Sequence, residues 1–547
     1  MLEILRATPA RIRQWMTPNI RAYLDNRQPL IWLLSLLIGL SVACAAICFR
    51  LLIGVAQLYW LGDTTEQVLT AARTTPWYMI LAGPVIGGIV VGILITRFLP
   101  SRRTSGVADV IEARAIAGRR LSLREGIVSA LTTAFSLGSG ASAGREGPVI
   151  HLGATLASAV GERFSLPDWS RRTLLAAGVA SAISASFNAP IAGVLFAHEV
   201  ILGHYAKRAF VPIVISSSVG AIVSRGWFGD AAAFIVPDYH ITSYFEFPAF
   251  ALLGVVCAVV AVAFQFVLFG ADYLARRTAI PLWALPISGG FIVGLIGIGF
   301  PHILGVGYEA TDMALWGQLP LALMLTLIVV KTLATAITLA ARFGGGIFSP
   351  ALYLGAMAGG AFGIIAASAF PDLASSPALY SILGMGAVAG AVLGAPISTT
   401  VIVFELTGGY ALSIALLLTV AIAHGITQAL HGHSYFQWQL EMRGLFVRDG
   451  PYRTMLRNVR VMDFMTLPPD DAEPEYHDQE QDTAALRPTD TLETALRAFD
   501  TGGHTRMPVV ADSGDRHNRR IVGWAEQTKA LSHFNRRLIA ASEEEHR

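Results

Sequence analysis

Between residues 30 and 430 the chain runs through a succession of apolar segments with only short polar breaks: 30–61, 76–99, 127–161, 173–203, 210–228, 248–275, 281–300, 319–341, 347–370, 377–404 and 411–430. A straight helical span of a bilayer needs roughly 20 apolar residues, so several of these are long enough to cross. Others carry Gly-Pro or Ala-Pro in mid-run, where a helix must break. Lipid offers no partner to a freed backbone group, so a break at membrane depth has to be buried in protein or line a cavity. Tilted and broken helices are expected, and the breaks are where a site should be sought.

Composition supports this. The chain has 547 residues, 54% of them hydrophobic and 14% charged, against about 25% charged in ordinary globular domains. That excludes disorder, collagen and a secreted disulfide scaffold. The 53 glycines suit close helix packing in a bilayer. Cys44, Cys48 and Cys257 lie in apolar runs and are expected as buried small side chains without redox or metal roles. A net charge of +2, without a basic stripe, gives no reason to expect nucleic acid. Residues 1–29 carry five arginines before the first apolar run, so they are no cleavable leader and should stay cytoplasmic. Polar character returns after Gly444, and 448–547 reads as a soluble cytoplasmic tail.

The breaks recur. Gly144-Arg145-Glu146-Gly147-Pro148 is followed by Leu152-Gly153, and Gly346-Ile347-Phe348-Ser349-Pro350 by Leu354-Gly355 at the same offsets. Ala189-Pro190-Ile191 precedes Glu199 as Ala395-Pro396-Ile397 precedes Glu405, with nine residues from proline to glutamate in each. The separations are 202 and 206 residues, which suggests two homologous halves with a site between them. Spacing alone leaves open whether the halves are parallel or inverted.

In both G-x-x-x-P segments the proline sits where a helix can begin, which puts the residues before it at a helix N-terminus. Free N–H groups and the positive end of the dipole favour an anion there, without the tight hold of a full positive charge. Glu146 would compete with an anion for these groups and leave when protonated, as a gate or proton carrier. The competing account is a structural ion pair of Glu146 with Arg145. Lys331, inside an apolar run, either lends positive potential to an anion path or is a structural lysine. His151 and His198 are expected to be packing histidines.

Two other classes compete. Gly140-Ala141-Ser142-Ala143-Gly144 fits the G-x-S-x-G nucleophile elbow of a serine hydrolase, but that motif needs a preceding strand, and none is expected. A membrane receptor would explain the tail but has no need of recurring broken helices.

Taken together, these motifs resemble the CLC family of chloride channels and proton/chloride antiporters, over roughly residues 30–445. The letters GREGP at 144–148 and G-x-F-x-P at 346–350 match the family, as do Phe187-Asn188-Ala189-Pro190, Ala395-Pro396 and Tyr435 in Ser434-Tyr435-Phe436. Thr104-Ser105-Gly106-Val107-Ala108-Asp109 resembles a further landmark but departs from it at Thr104, Ala108 and Asp109. The resemblance implies an all-α polytopic membrane protein of the prokaryotic type with two inverted-topology repeats. It also implies a homodimer with one pore per subunit in a bacterial inner membrane, both termini cytoplasmic, and no enzymatic activity, metal or cofactor. Chloride would be bound by the hydroxyls of Ser105 and Tyr435 and the backbone of Gly346, Ile347 and Phe348. Glu146 would gate it, flanked by Gly144, Arg145, Gly147 and Pro148. Serine at 105 favours chloride over nitrate, and Pro148 with the rest of GREGP argues against a fluoride-type member.

Val200 stands where the family's antiporters carry an internal proton-transferring glutamate, which leans toward an uncoupled, channel-like conductor. The alternative is a coupled antiporter using Glu199 or His198 as relay. The domains expected are a segment 1–29, a transport domain 30–447, and a tail 448–547 with one α/β repeat resembling a CBS module at about 461–540. Lys529 replaces the aspartate that often holds ribose in such repeats, which argues against ATP.

Overall fold

The computed structural model describes residues 15–21, 23–116, 119–230, 234, 241–407, 412–446, 456, 459–467, 475–476, 485–512 and 519–546. The expected domain boundary after 447, and residues 1–14 of the N-terminal segment, lie outside these. The chain divides into two compact units, Met1–Phe436 and Gln437–Arg547.

The first unit is helical. Its elements are α1 (Gln28–Leu61), α2 (Val68–Thr74), α3 (Trp77–Phe98), α4 (Val107–Ala115), α5 (Leu123–Gly138), α6 (Glu146–Arg163), α7 (Asp168–Phe187) and α8 (Pro190–Phe196). A π-turn, Ala197–Leu202, continues α8, and α9 (Lys207–Phe228), α10 (Phe247–Arg277), α11 (Leu285–Gly299) and α12 (Tyr308–Leu315) follow. Then come α13 (Leu321–Ala340), α14 (Phe348–Ala369), α15 (Pro377–Leu393), α16 (Pro396–Thr407) and α17 (Ser413–Leu430), and α18 (Tyr435–Glu441) begins in this unit and ends in the second. Among the described residues seven helices are long and apolar enough to cross a membrane.

Three expected runs prove to be pairs of helices. Residues 127–161 break between α5 and α6, through Gly140 at φ +93°. Residues 173–203 break at Asn188, and 377–404 at Gly394, both left-handed and both two residues before a proline that opens the next helix. A proline supplies no N–H to continue a helix and pushes the residue before it toward an extended conformation. The two breaks are equivalent positions of the two halves.

The repeated Leu-Gly offsets have a packing cause. A Cβ on Gly153 would lie 2.6 Å from the Gly178 carbonyl oxygen, and one on Gly355 only 2.2 Å from that of Gly384. Each half therefore crosses its G-x-x-x-P helix against the next at backbone contact, as small residues permit in a membrane.

The repeated glutamates tie one half to the other. Glu199, in the turn that ends α8, accepts hydrogen bonds from the N–H groups of Ile397 (3.2 Å) and Ser398 (2.7 Å) and from the Ser398 hydroxyl, at the start of α16. Glu405, near the end of α16, accepts from Ile191 N–H (3.0 Å) and Ala192 N–H (2.7 Å), at the start of α8. The end of each helix lies beside the start of the other, so these equivalent helices run antiparallel. That is the relation an inverted repeat requires, and it resolves the orientation that spacing left open.

One expectation on burial fails: Cys257 is buried, but Cys44 and Cys48 are exposed on the outer side of α1. An apolar run does not separate protein-facing from lipid-facing positions, because lipid tails are as apolar as leucine.

The second unit holds a three-stranded antiparallel sheet, β1 (Glu475–Tyr476), β2 (Arg506–Asp512) and β3 (Arg519–Glu526), in the order β1-β3-β2. Two helices, α19 (Leu492–Gly502) and α20 (Gln527–His546), complete it. Val461, Phe464, Leu486, Leu492, Phe499, Met507 and Val509 form its core.

The reciprocal caps are open to test. Glu199→Ala and Glu405→Ala each leave first-turn N–H groups of the other half without their acceptor, at a cost of about 1–3 kcal/mol. Detergent unfolding followed by fluorescence should show that loss for both variants. Unchanged stability in both would show that the caps do not join the halves.

Candidate functional site

At the centre of the first unit the two G-x-x-x-P segments meet. Gly144 and Gly346 form an isolated antiparallel bridge, in which each N–H donates to the other's carbonyl at 2.7 Å. Two residues beyond the bridge in each strand a helix begins, α6 at Glu146 and α14 at Phe348. The bridge thus fixes two helix N-termini side by side, one from each half. First-turn N–H groups have no partner within their own helix, so both starts offer donors and a positive dipole end to the same small region.

Glu146 sits in that region, 1% exposed. Its Oε1 accepts from the hydroxyls of Tyr308 (2.7 Å) and Ser349 (2.5 Å), and its Oε2 is buried without a hydrogen-bond partner. A Cβ on Gly144 would lie 2.6 Å from that Oε2 and 3.1 Å from the Ser349 nitrogen, so glycine at 144 is what lets the carboxylate lie over the first turn of α14. The carboxylate occupies a place suited to an anion.

Arg145 does not pair with Glu146, which removes the competing structural account. Its guanidinium is buried, pairs with Glu66 from the loop before α2, and lies 4.9 Å over the Tyr308 ring. Glu66 also holds Arg50 of α1, at 2.7 Å. Gly147 and Pro148 are buried in the first turn of α6, and a Cβ on Gly147 would lie 3.5 Å from Gly346 Cα and 3.9 Å from the Val107 side chain. Through Val107, the start of α4 joins the two helix starts.

Ser105 lies just ahead of α4, half-buried, with its N–H donating to Ser129 Oγ at 2.8 Å. The departures from the family pattern have a local explanation here. Asp109 Oδ2 accepts the Gly106 N–H (2.8 Å), and the carboxylate takes a two-pronged bond from Arg103 (3.0 and 2.5 Å). An aspartate cap therefore shapes the turn carrying Ser105, without a proline at 108. Tyr435 opens α18, and its ring lies tilted against that of Phe269 at 5.2 Å between centroids. Ile347 and Phe348 are buried, and the Phe348 ring packs on Phe187 (5.1 Å) and Phe196 (6.3 Å).

Lys331 is fully buried on α13, and its ammonium donates to the carbonyls of Ile303 (3.0 Å), Gly305 (3.1 Å) and Val306 (3.5 Å). It does not snorkel. It fixes the turn leading into α12, whose first residue is Tyr308. Glu199 is likewise committed, with both oxygens on the start of α16. Val200 lies half-buried in the π-turn. His198 is buried, stacks on Tyr205 (5.5 Å) and Phe210 (6.3 Å), and has Nδ1 3.3 Å from the His204 carbonyl. His151 is buried on α6.

Ser142 belongs to no nucleophile elbow. It is fully buried in the loop after helix α5, where the motif needs a strand, and its N–H donates to Thr338 Oγ1 at 3.2 Å.

Sequence reasoning missed Tyr308, Glu66 and the work of Ser349. Ser349 stood inside a quoted motif, while Tyr308 and Glu66 lie in short polar stretches between apolar runs and carry no spacing signal.

Comparison with known proteins agrees with this architecture. The voltage gated chloride channel family model matches residues 87–428. A Ralstonia nicotianae protein named for its likeness to the chloride channel ClcB is 32% identical over 389 residues, covering 70% of this chain and 90% of its own. The crystal structure of a slow cyanobacterial Cl⁻/H⁺ antiporter superposes with a TM-score of 0.67 at 23% identity, over 76% of this chain and 97% of that one. That of a eukaryotic CLC transporter gives 0.67 at 18% identity, over 93% and 98%. These two share the fold. On the family match, the relative and the apolar helices together, this multi-pass membrane protein belongs to the CLC family of chloride channels and antiporters.

Proposed function

We propose that the protein conducts chloride through a pore in each subunit of a homodimer, with Glu146 as the gate and without obligatory proton exchange. The observation that carries this is the buried carboxylate of Glu146, held by hydroxyls over two paired helix starts with no cation on it. A carboxylate so placed mimics the anion it excludes. Protonated, it no longer competes for the N–H groups, and chloride takes its place. Ser105, Tyr435 and the amides of Ile347 and Phe348 complete the inner site by the family pattern.

The homodimer, the bacterial inner membrane and the cytoplasmic termini rest on family membership. The tail is read as a single CBS-like repeat, in which Lys529 in place of the ribose-holding aspartate argues against ATP.

Absence of coupling rests on Val200, which can neither take nor release a proton, and on Glu199, whose oxygens are engaged as a cap. One observation favours the alternative of proton-coupled exchange: His198 Nε2 is buried without a partner, one residue from Glu199.

Purified protein in planar bilayers should carry a chloride current that rises as pH falls, and Glu146→Ala should make that current large and insensitive to pH. An alanine variant as pH-sensitive as the parent would place the gate elsewhere. Under a fixed chloride gradient and a stepped proton gradient the reversal potential should follow chloride alone. A reversal potential that moves with pH, and stops moving in His198→Ala, would establish exchange through His198.

A further inference from the structure

We propose that Tyr308 and Ser349 form a latch that holds the Glu146 carboxylate in the pathway, and that Lys331 sets the latch by fixing the turn that carries Tyr308. This rests on Glu146 being the gate.

Among the described residues no fixed positive charge pairs with the carboxylate. The nearest guanidinium in sequence, Arg145, is drawn off to Glu66. What holds Glu146 in place are two hydroxyl donors on Oε1, from α12 and from the first turn of α14, and these hydroxyls are themselves 3.4 Å apart. The three side chains form one polar cluster assembled from three helices. Hydroxyls suit a gate, because they stabilise the charged carboxylate without the grip of an ion pair and remain as donors to an anion once it leaves.

Tyr308 is built to stay where it is. Phe234 meets its ring edge-on at 5.5 Å and the Arg145 guanidinium covers the ring at 4.9 Å. Gly307, just before it, is left-handed at φ +94°, and the Lys331 ammonium binds three carbonyls of the same turn. A buried lysine, costly in itself, is thus spent on positioning one phenol. Lys331 is a positioning residue, acting on the gate only through Tyr308.

Other charged groups surround the gate, and most have their own partners. Arg145 and Arg50 share Glu66. Glu309, beside Tyr308, accepts from Leu69 N–H at 2.8 Å at the start of α2. His151 lies one turn along α6. Asp312, one turn along α12, has Oδ1 buried without a partner, which makes it the rival proton sensor.

The test is the pH profile of the chloride current for the full-length parent, Tyr308→Phe, Ser349→Ala and Asp312→Asn, with the first two also made in Glu146→Ala. Tyr308→Phe keeps the ring contacts and removes one donor to the charged carboxylate. The ratio of blocked to open states should fall roughly tenfold, so the current at neutral pH rises toward that of Glu146→Ala and its increase on acidification begins at higher pH. Ser349→Ala should do the same by a separate hydroxyl, which keeps the proposal testable should Tyr308→Phe fold poorly. Neither substitution should alter the pH profile in Glu146→Ala, and Asp312→Asn should leave the parent profile in place. A Glu146→Ala current that still follows pH would overturn the gate itself. A flat Glu146→Ala profile with unmoved Tyr308→Phe and Ser349→Ala profiles would overturn the latch alone. So would a profile moved by Asp312→Asn and by neither hydroxyl.

Discussion

The paired hydrogen bonds between Gly144 and Gly346 set the geometry on which everything else at the centre depends. They are backbone bonds between distant parts of the chain, and each closes a break in an apolar run that lipid could not satisfy. By joining the breaks to one another, the fold meets the hydrogen-bonding demand of both and brings two helix starts together. The glycines serve twice, allowing the two strands to approach and leaving room for the Glu146 carboxylate above the next turn.

The same economy appears at the second pair of breaks, where Glu199 and Glu405 each cap the helix that opens in the other half. An inverted repeat makes this possible, because antiparallel equivalents place each half's acidic residue beside the other's open N–H groups. Fixed charge is meanwhile kept off the central region. Arg145 is paired with Glu66, Arg103 with Asp109, and Lys331 with turn carbonyls, and the donors on Glu146 among the described residues are hydroxyls.

Much of this was legible in the sequence. The constant offsets of Gly, Pro, Leu and Glu located all four breaks and the two halves, because each position has a physical task that restricts the residue there. What was illegible came from side chains whose partners lie far away in the chain. Lys331 was open between a source of potential along a pathway and a structural lysine, and its ammonium binds turn carbonyls that hydropathy does not reveal. Glu199, named from the sequence only as a possible relay of the coupled alternative, caps the start of α16 as its repeat-mate Glu405 caps the start of α8. Tyr308 sits in the short helix α12 between longer apolar runs, and nothing local sets it apart from any other aromatic.

The central claim is that the Glu146 carboxylate occupies an anion's place between two paired helix starts. Anomalous diffraction from bromide-soaked crystals of Glu146→Ala tests it most directly. The account predicts a bromide peak where the carboxylate lies, within hydrogen-bonding reach of the Tyr308 and Ser349 hydroxyls. Bromide bound elsewhere in the subunit, with that position empty, would contradict it.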